Sequence, residues 1–264
     1  MARYRTLAAL PLCVLLSACG GATTTATTAT TNQTPPPTST PVRITLHLAG
    51  DSTMGEGLPE RRPETGWGEE LPSLFHEDRV LVRNYAKRGR STRTFLSEGF
   101  WAALVANVKE GDSVIVQFGH NDGSRDEEET PPEEYRSNLA RFVSEVRARK
   151  ALPVLATPIV VRSFDRDGSL RDVHGRYPDV VRSVALGTNT PLLDMQVLSA
   201  QVLTEYGPEG SKDLFQHLAP GAHPNYPNGL ADNIHLSPRG ALVMAQRAAQ
   251  GLRDLKLPLA AFLK

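Results

Sequence analysis

Cysteine is almost absent from this chain: two occur in 264 residues, Cys13 and Cys19. Both fall at the N-terminal end, so no disulfide can staple the remainder, and stability must come from a packed core. Net charge is absent as well. Lys and Arg number 29 against 29 Asp and Glu, which leaves no electrostatic case for a nucleic-acid partner. Beyond the first apolar stretch, no run is long enough to cross a bilayer. Internal repeats are missing too. What remains is a length that suits one sizeable α/β domain and is too short for two comfortable ones.

The N-terminal end reads separately. Arg3 and Arg5 precede an apolar stretch from Leu7 to Leu16, too short for a mature membrane span but suited to the hydrophobic region of a signal peptide. It closes in Leu16-Ser17-Ala18-Cys19, which resembles a bacterial lipobox. That resemblance implies that residues 1–18 are a lipoprotein signal peptide and that Cys19 carries a lipid; an ordinary secretory signal cut nearby is the alternative. Cys13 would leave with the signal. Removing Arg3 and Arg5 from 29 basic residues leaves 27 against 29 acidic ones, a net of −2. From Gly20 to Pro41 the composition collapses to Thr, Ala and Pro, which cannot bury apolar surface. Residues 19–41 are therefore expected to be an extended tether, and residues 42–264 the folded domain. The placement implied is extracytoplasmic, on the bacterial cell envelope, with the membrane as a partner through Cys19 alone.

Within the domain, apolar runs alternate with amphipathic segments. Val42 to Leu48 reads as a buried strand that breaks into the turn Gly50-Asp51-Ser52. A helix over Gly66 to Phe75 has Trp67, Leu71, Leu74 and Phe75 on one face, and a strand follows at Val80 to Asn84. A polar turn from Ala86 to Arg93 leads to helical sequence through Val108. The most hydrophobic strand, Ser113 to Phe118, ends in Gly119-His120-Asn121-Asp122. The acidic run Asp126 to Glu129 reads as a solvated loop or as the negative first turn of the helix after Pro131-Pro132, rather than as a metal site. A helix from Pro132 to about Lys150 puts Tyr135, Leu139, Phe142, Val143 and Val146 on one face and feeds the strand Pro153 to Ala156. A polar excursion from Arg162 to Pro178 precedes a helix to Leu186, a short strand at Leu192-Leu193 and a helix to Tyr206. A loop rich in Gly, Pro and His is expected from Gly207 to Asn233. Ser237-Pro238 then opens a last helix to about Leu252. Strands alternating with helices indicate a doubly wound parallel sheet.

Open α/β sheets present ligands at the carboxyl ends of their strands, which places Ser52 where a substrate arrives. Ser52 is the candidate nucleophile, with helix capping by Asp51 or Ser52 as the plain alternative. Hydrolysis through serine also needs a base, a group that orients it, and donors for the oxyanion. Asp232 and His235 lie three residues apart just before the last helix, so one short turn is expected to supply orienter and base. Gly89 offers a backbone N–H in a turn, and Asn121 a neutral side-chain amide at a strand end. Arg90, Arg93 and Arg162 are candidates for bidentate contacts to uronic carboxylates. His120, next to Asn121, is a candidate for shaping the pocket and contacting substrate through a hydrogen bond; His174, and equally His217 and His223, lie in the two excursions bordering the site and are candidate substrate contacts, with a solvated loop role as the alternative. A zinc site from His217, His223, Asp232 and His235 matches no ligand spacing. No metal and no cofactor is expected.

Four blocks occur in order: Gly50-Asp51-Ser52, Gly89 in the turn after Asn84, Gly119-His120-Asn121-Asp122, and Asp232 with His235. They resemble the four blocks of the SGNH (GDSL-like) hydrolases over nearly the whole domain. Within that superfamily the chain is most similar to the rhamnogalacturonan acetylesterases, carbohydrate esterase family 12. The likeness rests on Leu48 to Met54, Gly66-Trp67-Gly68, Gly89 to Phe95, Gln117 to Asp122, and Thr157-Pro158 through His174 to Pro178. It implies a three-layer α/β/α sandwich around a parallel, flavodoxin-like sheet of about five strands. It also implies metal-independent removal of O-acetyl groups from a pectic polysaccharide, with Ser52, Asp232 and His235 as triad and Ser52 N–H, Gly89 N–H and Asn121 as oxyanion hole. Two positions depart from the family pattern: Ile234, where threonine is usual, and Arg176, where an acidic residue is frequent. Rival readings are an esterase on xylan, peptidoglycan or a small ester, a carbohydrate-binding lipoprotein without catalysis, and a metal-dependent amide deacetylase.

Overall fold

In the computed structural model, five parallel strands pair in the order β2-β1-β3-β4-β5. They are β1 (Ile44–Gly50), β2 (Val80–Asn84), β3 (Ser113–Gln117), β4 (Leu152–Ala156) and β5 (Leu192–Leu193). The structure describes residues 43–124 and 126–264. The expected signal peptide and tether, Cys19 and the first residue of the expected domain lie outside the described residues.

Alternation along each strand sends side chains to two separate apolar layers. Leu46 and Leu48 of β1 and Ile115 of β3 pack with Trp67, Leu71 and the helices α6 (Met195–Gly210) and α7 (Pro238–Asp254). Ala49, Val114 and Val116 face the opposite layer, formed by α2 (Thr92–Ser97), α3 (Phe100–Val105), α4 (Pro132–Ala148) and α5 (Tyr177–Gly187). All five apolar positions anticipated on α4 are buried. The Phe142 ring lies 4.1 Å from that of Trp101, and Tyr135 Oη donates to Phe118 O at the end of β3 (2.8 Å). The three-layer sandwich is thus present.

Three expectations are corrected. The segment 66–75 is a four-residue helix α1 (Trp67–Glu70) followed by a 3-10 turn, because Pro72 has no N–H to continue the ladder. The helical material of 92–108 breaks at Gly99, which is left-handed at φ 79°. The expected loop 207–233 contains a 3-10 turn and the first strand of an antiparallel hairpin, β6 (Phe215–Leu218) with β7 (Leu230–Leu236). Polar residues, three prolines and two glycines between the strands mask that hairpin in the sequence. Asp232 and His235 therefore stand on a strand, not in a turn ahead of α7.

The parallel register aligns the ends of the strands. Gly50, Gln117, Ala156 and Leu193 form one row across the sheet, and the loops leaving that row carry Ser52, Asn121 and Thr157. One of these loops is tied to its neighbour by a buried acid. Asp122 Oδ1 accepts from the Thr92 N–H (2.9 Å) and the Thr92 hydroxyl (2.6 Å), joining the loop after β3 to the start of α2. Burial pushes the Asp122 carboxyl up to about 7, against the opposing hydrogen bonds from Thr92. The unfolded chain loses this proton near 3.8 and the folded chain near 7, so Asp122 favours folding fully below about pH 4, and that contribution is lost as pH rises toward 7. Asp122→Asn keeps the Oδ1 acceptor and removes the titration. Its melting temperature should gain on the parent's by roughly 5 °C between pH 4.5 and 7; parallel curves would show that Asp122 does not titrate with folding.

Candidate active site

The turn after β1 divides the work between two residues. Asp51 is fully buried, and its Oδ1 accepts from the Thr53 N–H (2.9 Å) and hydroxyl (2.8 Å). Its carbonyl accepts from the N–H groups of Met54 and Gly55. Burial raises the Asp51 pKa against those hydrogen bonds. Beneath the turn, Trp67 Nε1 donates to Gln117 Oε1 and Gln117 Nε2 to Thr53 Oγ1, each at 2.8 Å. Asp51 is the residue that caps this turn. The Ser52 hydroxyl is left free, and it lies 3.0 Å from His235 Nε2.

His235 Nδ1 in turn lies 2.6 Å from Asp232 Oδ2. The other carboxylate oxygen accepts from the N–H groups of Ile234 (2.7 Å) and His235 (3.0 Å). Burial opposes ionisation of Asp232, but the hydrogen bond and charge of His235 and the two backbone donors hold its carboxyl down at about 2. An ionised carboxylate only accepts, so Nδ1 carries the imidazole proton and Nε2 is bare toward Ser52. The backbone N–H of Ile234 makes its contact with the carboxylate whatever the side chain at that position. The Ile234 side chain is 40% exposed.

Ser52 and His235 open into a cleft of about 310 Å³, whose polar wall also includes His120, Asn121, Ser124 and His174. Val161, Val173 and Ile234 form its apolar wall; Val161 and Val173 are single apolar residues in loops and carry no pattern in the sequence, while Ile234 stands out there only as a departure from the family pattern. Asn121 Nδ2 donates to Arg90 O (3.1 Å), which orients the amide and leaves its second N–H available. Among the described residues, the backbone N–H groups of Ser52 and Gly89 have no acceptor. Gly89 sits at φ 70° with open space where a side chain would stand, a conformation that favours glycine. Gly89 does not line the cleft itself.

The three arginines are engaged elsewhere. Arg90 pairs with Glu98 (2.7 Å), and Arg93 grips Glu134 through two nitrogens. Arg162 reaches Asn233 Oδ1 (2.9 Å), Ser211 Oγ (3.1 Å) and Pro208 O. Its backbone N–H also donates to Asn233 O (2.9 Å), so Arg162 braces the strand that carries Asp232 and His235. None of the three lines the cleft. His217 contacts Asn233 Oδ1 (2.9 Å) and His223 accepts from the Asn225 N–H. Among the described residues, no group of three His, Cys, Asp or Glu side chains is placed to hold a metal.

Residues 48–243 match the GDSL-like Lipase/Acylhydrolase family. The chain is 39% identical over 216 residues to the rhamnogalacturonan acetylesterase RhgT of Bacillus subtilis, covering 82% of this chain and 92% of that one. It is 31% identical to the probable rhamnogalacturonan acetylesterase YesY of the same organism, over 81% and 94% of the two chains. Among solved structures, YxiM of Bacillus subtilis superimposes with a TM-score of 0.71 at 27% identity, covering 83% of this chain and 58% of that one. The acetylxylan esterase Axe2 of Geobacillus stearothermophilus shares the fold at a TM-score of 0.59 and 21% identity, over 83% and 97%. With the matched region running from the end of β1 into α7, the chain belongs to the GDSL-like lipase/acylhydrolase family of carboxylic ester hydrolases.

Proposed function

We propose that the Ser52 cleft removes O-acetyl groups from acetylated rhamnogalacturonan through an acetyl-enzyme. The observation that carries this reading is the unbroken relay Ser52 Oγ–His235 Nε2, His235 Nδ1–Asp232 Oδ2, at 3.0 and 2.6 Å. The substrate class is supported by the two Bacillus subtilis relatives, whose names give rhamnogalacturonan as what they deacetylate.

Ser52 Oγ attacks the acetyl carbonyl carbon as its proton passes to His235 Nε2. The negative charge that develops on the carbonyl oxygen meets the N–H groups of Ser52 and Gly89 and the free Asn121 amide hydrogen. Collapse expels the sugar alcohol, which takes its proton from His235, and leaves acetyl on Ser52. Water then attacks the acetyl carbon, giving its proton to His235, and acetate departs as Ser52 is restored. Throughout, Asp232 holds the imidazole tautomer and stabilises the imidazolium. The apolar wall of Val161, Val173 and Ile234 suits a short acyl group.

Acetate release from acetylated rhamnogalacturonan, acetylated xylan and p-nitrophenyl acetate tests the substrate assignment. The pectic polymer should be the best carbohydrate substrate, and Ser52→Ala should abolish release from all three. Preference for xylan would overturn the pectic assignment and keep the esterase; release unaffected by Ser52→Ala would overturn the mechanism. Losing one oxyanion donor typically costs about 10² to 10³ in turnover. Asn121→Ala should therefore fold normally and lose kcat on that scale, and a kcat within about threefold of the parent would remove Asn121 from the oxyanion hole.

A further inference from the structure

Beside the Ser52 cleft lies a second cavity, of about 280 Å³, with an apolar wall made by Val160, Leu170, Val197 and Ala200. The two share a partition. Val160 and Asp172 line this cavity, while their chain neighbours Val161 and Val173 line the cleft, and consecutive Cα atoms are only about 3.8 Å apart. Both belong to the carboxyl end of the sheet, since Val160 is in the loop that leaves β4 and Val197 is in the first turn of α6, which follows β5. Hydrogen bonds hold the partition in place. The Val160 N–H donates to Ser199 Oγ of α6 (2.9 Å). A narrow antiparallel ribbon then returns the chain, with the Arg171 N–H on Ser163 O (2.8 Å) and the Asp165 N–H on Ser169 O (2.9 Å).

Val173 and Val197 are 48% and 46% exposed, and with Ile234 they are among the most exposed large apolar side chains of the described residues. Scattered singly, such side chains mean little; gathered on the adjoining walls of two cavities, they mark a surface that a ligand covers. The polar groups around the second cavity are balanced or occupied. Arg171 and Asp172 bring one charge of each sign. Arg171 donates to Ser163 Oγ from two nitrogens (2.8 and 3.2 Å), and Asp172 Oδ1 accepts from the His174 N–H (2.9 Å). Gln196 Oε1 accepts from Arg182 (2.8 Å).

A polymer that sets one ring over Ser52 rests its next ring on the surface beside the cleft. The two sugars of a rhamnogalacturonan differ in what C5 carries: a carboxylate in galacturonate, a methyl group in rhamnose, which is a 6-deoxyhexose. A carboxylate laid on this aliphatic wall beside Asp172 would lose hydration and meet a like charge, whereas a methyl group gains by burial there. We propose that the cavity walled by Val160, Leu170, Val197 and Ala200 is a subsite for the rhamnosyl residue adjoining an acetylated galacturonosyl residue held at Ser52. The subsite rests on the pectic reading of the Ser52 cleft, and it makes Leu170 and Val197 specificity residues for the neighbouring sugar.

The test compares kcat/KM on p-nitrophenyl acetate and on two trisaccharides with a central acetylated galacturonosyl residue. One carries rhamnosyl residues on both sides; the other carries L-mannosyl residues, which replace each methyl by a hydroxymethyl group. The parent enzyme should prefer the rhamnosyl trisaccharide by about fourfold or more, the scale of burying one methyl group. Val197→Ser, at an exposed position, should lower kcat/KM on the rhamnosyl trisaccharide to the level of the mannosyl one and keep p-nitrophenyl acetate turnover within about threefold. Leu170→Ser should narrow the preference in the same way. Equal kcat/KM for the two trisaccharides in the parent, a preference that survives both substitutions, or equal losses on the aryl ester and the rhamnosyl trisaccharide would overturn the subsite while the pectic reading stands. Cleavage of p-nitrophenyl acetate with neither trisaccharide deacetylated would overturn the pectic reading, and the subsite with it.

Discussion

A single hydrogen bond between residues 183 positions apart, Ser52 Oγ to His235 Nε2, is the contact on which the site depends. Its two ends are held by unlike means. Ser52 follows a strand inside the parallel sheet, paired on both sides. His235 stands on β7, which belongs to a separate two-stranded ribbon, so the main ladder does nothing to place it. The ribbon is pinned by individual bonds instead. Leu236 O accepts from the Thr65 N–H (3.2 Å) and from Gln216 Nε2 (2.8 Å), while Arg162 takes hold of Asn233 with backbone and guanidinium together. Just beyond, α7 approaches so closely that a side chain at Gly240 would stand 1.9 Å from Leu214 O. Glycine is what permits the last helix to follow β7 so tightly.

The electrostatics of the cleft follow from where charge is kept and where burial removes it. Asp232 stays ionised beside His235 because three hydrogen bonds outweigh its desolvation. Asp51 and Asp122, deeper under the same loops, are pushed toward the protonated state by burial. His120 and His174 are neutral for the same reason. An imidazolium forming on His235 therefore meets one carboxylate at contact distance and no competing cation on the cleft wall, and this is the condition under which serine activation is productive.

Much of this was legible in the sequence, for reasons specific to each segment. The α4 face could be read because Tyr135, Leu139, Phe142, Val143 and Val146 repeat at helical spacing over seventeen residues, all of them buried. Strand β2 could be read residue for residue because Val80 to Asn84 is short and bounded by polar turns. The β6–β7 hairpin could not, because its strands mix polar and apolar positions around a stretch dominated by Gly, Pro and His. At the site, Ser52, Asn121, His235 and the two cleft histidines come together as their motifs suggest. The arginines do not, since a sequence shows a cation but not the carboxylate or carbonyl that will occupy it.

The central claim is that an acyl group passes through Ser52. The most direct measurement is rapid acid quench of the enzyme during turnover of p-nitrophenyl acetate, followed by mass analysis of the intact chain and its peptides. One added acetyl group is expected, located on Ser52 in the peptide that spans the end of β1 and absent once substrate is exhausted. Acetyl on another side chain, or p-nitrophenol release that continues unchanged in Ser52→Ala, would contradict it.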